Sequence, residues 1–227
     1  MGRDESRLGY AAQTMIYDIS PPISERLQVW PGDTRSSREV LLDMGRGDNI
    51  TLSSIKATVH LGAHADAPSH YGERAATIDQ RDLDYYMGPC QVIRVRVDRG
   101  VCVTPAMLPG PIRAERVLLA TGTYPDPGDF NRDFAALSPE LVDHLHRQDV
   151  RLVGIDTPSV DLFYSTDLPC HRMFLKHDMA ILEGLVLNDV PEGMYELIAL
   201  PLKLVGFDAS PVRAILRNLD FVQARAR

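Results

Sequence analysis

The sequence predicts a mixed α/β domain in which strands outnumber helices. Three observations carry that reading. Residues 91–97, QVIRVRV, alternate strictly between polar and apolar, the period of a half-buried strand. Residues 116–121 and 150–155 are short, largely apolar runs with the length and composition of buried strands. One segment carries a full helix start, with Ser138 at the N-cap, Pro139 at the first helical position and Glu140 in the first turn. At 227 residues, 44% hydrophobic and 24% charged, the chain suits one globular domain, expected over residues 15–227. Residues 1–14 are charged and polar, lack the apolar stretch of a secretory signal, and read as a disordered extension.

In chain order, residues 15–19 form an opening strand that Ser20-Pro21-Pro22 ends, because proline fixes φ and lacks a donor. Trp30-Pro31-Gly32-Asp33 is turn chemistry around the only tryptophan. A tryptophan there either caps the core or offers a flat apolar wall to an aromatic substrate. Residues 38–44 and 50–59 have strand composition with a turn between them, and the second delivers the chain to His60. Residues 71–84 and 124–132 read as loops, and 104–108 as a helical turn. The helix from Ser138 runs through Leu141 and Leu145. Strand 150–155 ends in a polar loop where Asp156 and Asp161 read as caps and turn formers. Residues 179–182 make a strand with Glu183 at its end, and 195–200 a later one. Asp208-Ala-Ser-Pro211 reads as a helix start leading into 212–217.

The chemistry concentrates in His60-Leu-Gly-Ala-His64-Ala-Asp66-Ala-Pro-Ser-His70, which holds three of the seven histidines. All four polar positions fall at even separations, so an extended chain could point them to one side. On a helix, at about 100° per residue, positions 66 and 70 would swing away, and Gly62 and Pro68 oppose a helix as well. Imidazole nitrogens and a carboxylate in this spacing are the ligands of a divalent metal such as zinc, with a position left open for chemistry. Glu183 lies inside the apolar run 181–187, where a carboxylate needs a positive neighbour. A metal would provide it, and so would an arginine such as Arg213 or Arg217.

The formal charge of −7, with a pI near 5.5 and no basic cluster, gives no support for a nucleic-acid or anionic-membrane partner. No apolar run is long enough to span a bilayer. Cys90, Cys102 and Cys170 form no CxxC pair and leave one over, which favours reduced thiols and a cytoplasmic setting. Cys170, next to His171, reads as a packed small residue. No G-x-S-x-G elbow surrounds Ser69 or Ser165, which excludes a serine-hydrolase reading.

The segment HLGAHADAPSH resembles the HxGTHxDxPxH signature of the cyclase family of metal-dependent hydrolases. The likeness continues in order through Trp30-Pro-Gly-Asp33, the GIDTPSVD stretch ending at Asp161, His171, the ILEGLVL stretch around Glu183, the YELIALPL stretch from Tyr195, and Asp208-Ala-Ser-Pro-Val-Arg213. It spans residues 17–217 and is similar to the bacterial kynurenine formamidase (arylformamidase) branch. The resemblance implies a barrel-like β layer with few helices, in a homodimer. It also implies two zinc ions per subunit, for which manganese or cobalt could substitute. His60, His64 and Asp66 match the ligands of the first ion; Asp66 and Glu183 match carboxylates shared by both; His171 matches the second ion's imidazole. His70 matches the proton donor and acceptor, and Trp30 the substrate-pocket wall. The chain departs from the signature at Ala63, where the family usually has threonine, and loss of that hydroxyl could remove a hydrogen bond that orients a ligand. The implied reaction is hydrolysis of N-formyl-L-kynurenine to L-kynurenine and formate, a step of tryptophan degradation. The rivals are another aryl amide or lactam such as isatin, and a non-catalytic metal- or ligand-binding protein. The presence of His70 beside all five ligand positions argues against the second rival.

Overall fold

The computed structural model describes residues 15–218, so the extension expected over residues 1–14 lies outside it. The strands are β1 (Ile16–Asp18), β2 (Ser37–Leu42), β3 (Leu52–Lys56), β4 (His64–Asp66), β5 (Met87–Arg94), β6 (Cys102–Val103) and β7 (Arg116–Ala120). They continue with β8 (Ala136–Leu137), β9 (Leu152–Ile155), β10 (Ala180–Glu183), β11 (Gly193–Ile198), β12 (Ala209–Pro211) and β13 (Ile215–Asn218). Two helices, α1 (Pro139–His146) and α2 (Pro169–His177), complete the described residues.

Nine strands form one mixed sheet, curled into a half-barrel, in the order β1-β13-β11-β5-β7-β9-β10-β4-β12. Its centre, β5-β7-β9-β10, is parallel and both wings are antiparallel. Every residue of β7, β9 and β10 is buried, as parallel strands covered on both faces must be. Val117, Leu119, Val153 and Ile155 face Leu141, Leu145 and Phe174 of the two helices. Leu118, Leu152 and Leu182 face the other way, against Ile19, Leu185 and Leu197. The alternation along each central strand thus divides the core into two layers.

Helix α1 starts as its residues require: Ser138 Oγ accepts from the Leu141 amide, and Pro139 occupies the first turn. The strand expected over 91–97 starts earlier and ends at Arg94, and the strand expected over 50–59 ends at Lys56. The expected helix over 212–217 does not form: 212–214 lie in neither helix nor strand, and 215–217 belong to β13. Val212, Ala214 and Leu216 are buried in alternation with Arg213, Ile215 and Arg217, a period of two, and β11 and β1 supply the hydrogen-bond partners. Asp208-Ala-Ser-Pro211 resembles a helix start, yet Ala209–Pro211 pairs with β4.

Two glycines lock the loop before β4 to the end of β10. Gly62 (φ +58°) and Gly184 (φ +65°) both occupy the left-handed region. A Cβ on Gly184 would stand 2.2 Å from the Gly62 carbonyl oxygen. Gly184→Ala should therefore destabilise the protein by about 2–4 kcal/mol, from backbone strain and overpacking together. A lower midpoint in urea unfolding with an unchanged slope checks this.

Candidate metal centre and active site

The site begins with strand register. Glu183 pairs directly with His64, and Ile181 with Asp66, across β10 and β4. Side chains opposite one another share a face, as do residues two apart on one strand. His64, Asp66 and Glu183 are thereby brought together, 3%, 1% and 3% exposed. Glu183 Oε2 lies 3.3 Å from His64 Nε2, and Asp66 Oδ1 lies 3.4 Å from the same nitrogen.

His60 and His70 arrive differently from expectation. The four even-numbered positions do not share one extended strand; only His64 and Asp66 lie in β4. The left-handed turn at Gly62 breaks the alternation before it, and a 3-10 turn over Pro68–His70 breaks it after. Convergence survives because the chain folds back at both ends. His60 Nδ1 lies 3.0 Å from Asp66 Oδ1, and the His60 and His70 ring centroids are 4.2 Å apart. His70 is about a third exposed, at 35% of its side chain.

His171 comes from α2, which sequence reasoning missed. Leu168 stands at the N-cap in a left-handed conformation and has no side chain able to cap. The cap comes from seven residues upstream. Asp161 accepts from the Cys170 and His171 amides at 3.0 and 3.1 Å, and from His171 Nδ1 at 2.7 Å. The available signal was negative: a proline-led helix with leucine at its N-cap position must be capped from elsewhere. Asp161 is therefore more than a turn former, since it orients the ring that places Nε2 3.4 Å from Asp66 Oδ2 and 3.7 Å from Glu183 Oε1.

A common pattern runs through the three inner imidazoles. His171 Nδ1 is tied to Asp161, His64 Nδ1 to the Gly62 carbonyl at 2.8 Å, and His60 Nε2 to Asp208 Oδ2 at 3.0 Å. Each acceptor receives a hydrogen bond from one ring N–H, so that the other nitrogen is the one facing Asp66 or Glu183. The Gly62 carbonyl orients His64, so the missing hydroxyl at Ala63 costs that ring no partner.

The electrostatics ask for a cation. Burial favours neutral rings at His64 and His171, but the carboxylates beside them outweigh it. Asp66 and Glu183 push His64 up to about 10, and Asp161, Asp66 and Glu183 do the same to His171. Burial likewise opposes the charge on Asp66, yet its imidazole neighbours hold its carboxyl well below the usual range. His64 Nε2 and both Asp66 oxygens are buried without a hydrogen-bond partner, although imidazoles and carboxylates crowd them at 3.0–3.4 Å. Orphaned lone pairs in close approach are the arrangement of ligands around a shared ion. His60, His64 and Asp66 form one such group, and Asp66, His70 and His171 another. The arginine alternative for Glu183 falls away, because Arg213 pairs with Asp18 and Arg217 with Glu196. Glu183 Oε1 instead accepts from the Val160 amide at 2.7 Å. Cys170 is buried in the helix-side core, its thiol on the Leu137 carbonyl.

The cluster opens into a cavity of about 570 Å³ that Trp30, His60, His70 and Asp208 help to line. Trp30 is packed in an aromatic cluster and also borders the cavity. It stacks on Phe163 (centroids 4.8 Å apart, 28°), meets Phe130 and Phe134 edge-on, and presents its free side to the cavity. Asp208 is a second residue the sequence reading passed over, having been assigned to a helix start. Burial works against its charge, but His60 and His70 hold its carboxyl below the usual range.

A buried cradle of imidazole and carboxylate at the floor of an open cavity defines a metal-dependent hydrolase. The chain belongs to the cyclase family, whose profile, described as putative cyclase, matches residues 17–162. It is 47% identical over 213 residues to the kynurenine formamidase of Polaromonas naphthalenivorans (strain CJ2), covering 92% of this chain and 94% of that one. Among solved structures it superposes on a potential metal-dependent hydrolase with cyclase activity (TM-score 0.78, 30% identity, 90% and 98% of the two chains). It shares its fold with an isatin hydrolase bound to the product analogue thioisatinate (TM-score 0.78, 20% identity, 90% and 92% of the chains).

Because Asp161 both caps α2 and orients His171, Asp161→Asn should weaken binding of a divalent ion at this cluster about 10–100-fold. Competition with a chromophoric chelator measures that loss directly.

Proposed function

We propose that this protein is an arylformamidase, hydrolysing N-formyl-L-kynurenine to L-kynurenine and formate in tryptophan degradation. The observation that carries this reading is the 47% identity to a kynurenine formamidase along nearly the whole of both chains. The converging residues of the site support it. His60, His64 and Asp66 would hold one divalent ion, and His171 with Asp66 and Glu183 a second, the two carboxylates being shared. Zinc suits this nitrogen and oxygen set, and manganese or cobalt satisfies it as well. When bound, the ions supply Lewis acidity and lower the pKa of water from about 16 toward 7.

The remaining chemistry falls to side chains at the rim. Water adds to the formyl carbon, the C–N bond breaks, and the departing aniline nitrogen needs a proton. His70 takes a proton from the water and returns one to that nitrogen, which an imidazole can do near neutral pH. Trp30 and the aromatic residues behind it bind the aryl ring and exclude water from that side of the cavity.

A homodimer is part of the proposal. The β2–β3 hairpin is solvent-exposed along almost its whole length, with Val40, Leu41, Leu52 and Ile55 uncovered. A lone two-stranded hairpin carrying such residues gains stability by packing against a second copy. We also place the enzyme in the cytoplasm: its three cysteines are free thiols, which fits a reducing compartment, and no described helix is long and apolar enough to cross a membrane.

Metal-replete protein mixed with N-formyl-L-kynurenine should produce kynurenine, read by absorbance, and isatin in the same assay tests the lactam alternative. Absence of turnover with the first substrate overturns the assignment. Chelation should abolish activity and added zinc restore it. His70→Ala should retain its metal and lose about 10²–10⁴-fold in kcat; a parallel loss of metal would make His70 a ligand instead. Trp30→Ala should weaken aryl substrates selectively. Sedimentation should show a dimer that Ile55→Asp dissociates.

A further inference from the structure

Asp208 stands between two imidazoles. Its Oδ2 lies 3.0 Å from His60 Nε2 and 3.5 Å from His70 Nδ1. One carboxylate oxygen therefore reaches both a candidate ligand and the proposed proton carrier. The backbone holds it there. The Asp208 carbonyl accepts from the Ala67 amide at 2.8 Å, and the next residue, Ala209, pairs with Asp66 across β12 and β4. Asp208 is thus tied to the strand that carries Asp66, and its side chain, 48% exposed, reaches the cavity wall.

We infer that Asp208 is a positioning residue for the proposed hydrolysis, holding His70 as the tautomer protonated on Nδ1 so that Nε2 is its basic nitrogen. The inference rests on the reading of His70 as proton carrier. An ionised carboxylate only accepts hydrogen bonds, so a ring nitrogen that faces it with no ion to lie between them donates. His60 then carries its proton on Nε2, with the Nδ1 lone pair turned toward Asp66 at 3.0 Å. His70 carries its proton on Nδ1. The 3.5 Å approach is long for a hydrogen bond, and contacts of this kind tighten when substrate arrives. The carboxylate would thereby serve His70 as the aspartate of a hydrolytic triad serves its histidine, by holding one tautomer and one ring orientation.

The test uses zinc-loaded protein labelled with ¹⁵N on its histidine rings. In the wild type, the His70 signals should report a proton on Nδ1; in Asp208→Ala that preference should be lost. At saturating zinc, with metal content measured alongside, kcat for N-formyl-L-kynurenine should fall about 10–100-fold while KM changes less than about threefold. Asp208→Glu should recover part of the loss. In a His70→Ala background, Asp208→Ala should cost almost nothing more, because the two residues act as a unit. A wild-type His70 protonated on Nε2 overturns the inference, and that spectrum needs no variant to fold. An unchanged kcat in Asp208→Ala, or fully additive losses in the double variant, overturns it as well. Failure of the wild type to turn over N-formyl-L-kynurenine would remove the substrate assignment instead, and the ring spectra would still decide the role of Asp208.

Discussion

Two carboxylates, Asp66 and Glu183, are buried within reach of the same imidazole, and much of the structure answers that constraint. Taking a charge out of water costs several kcal/mol per ion unless it is compensated. Three imidazoles surround the pair, and each has one nitrogen committed to an outward acceptor: a carbonyl for His64, a carboxylate for His60 and for His171. The inward nitrogens are those whose lone pairs an ion would engage. Protonating them would relieve the carboxylates, and their elevated affinity for protons at His64 and His171 measures how strongly the site demands positive charge. A divalent ion meets the same demand while leaving the lone pairs in use.

The fold meets this demand through register and glycine. Pairing of Glu183 with His64 is a property of the β10–β4 ladder, so the glutamate cannot move without the sheet moving. The close approach of Gly184 to the Gly62 carbonyl brings the loop carrying His60 against the end of β10. That same carbonyl holds the His64 ring. One backbone contact therefore governs both the position of the loop and the orientation of a candidate ligand. Outward from the cradle, burial falls. His70 and Asp208, which line the cavity, are partly exposed.

Local pattern made several features legible. The runs that became β7 and β9 are continuous because a parallel strand is covered on both faces, and α1 announces itself by a serine and a proline at fixed offsets. Helix α2 was hidden because its cap is Asp161, seven residues before the N-cap position, and no local signal encodes a distant acceptor. Residues 208–217 imitate a helix start. Their strand character follows from partners on β4, β11 and β1 that the local sequence does not name. The even spacing of 60, 64, 66 and 70 pointed to residues that do converge, but by a geometry the chain does not adopt, since Gly62 and the turn at Pro68 redirect both ends.

By itself the sequence determined the inventory: imidazoles and carboxylates too concentrated in one window, and a glutamate too deep in an apolar run, for an ordinary surface loop. Residue type sets which atoms can donate electron pairs, and that chemistry is local. Tertiary structure alone decided what those atoms face. It removed Arg213 and Arg217 as partners of Glu183, made Asp161 and Asp208 the supports of His171 and His60, and put Trp30 on a cavity wall as well as in an aromatic cluster. Those outcomes depend on distances between residues far apart in the chain, which strand pairing and helix packing fix only once the whole sheet has formed.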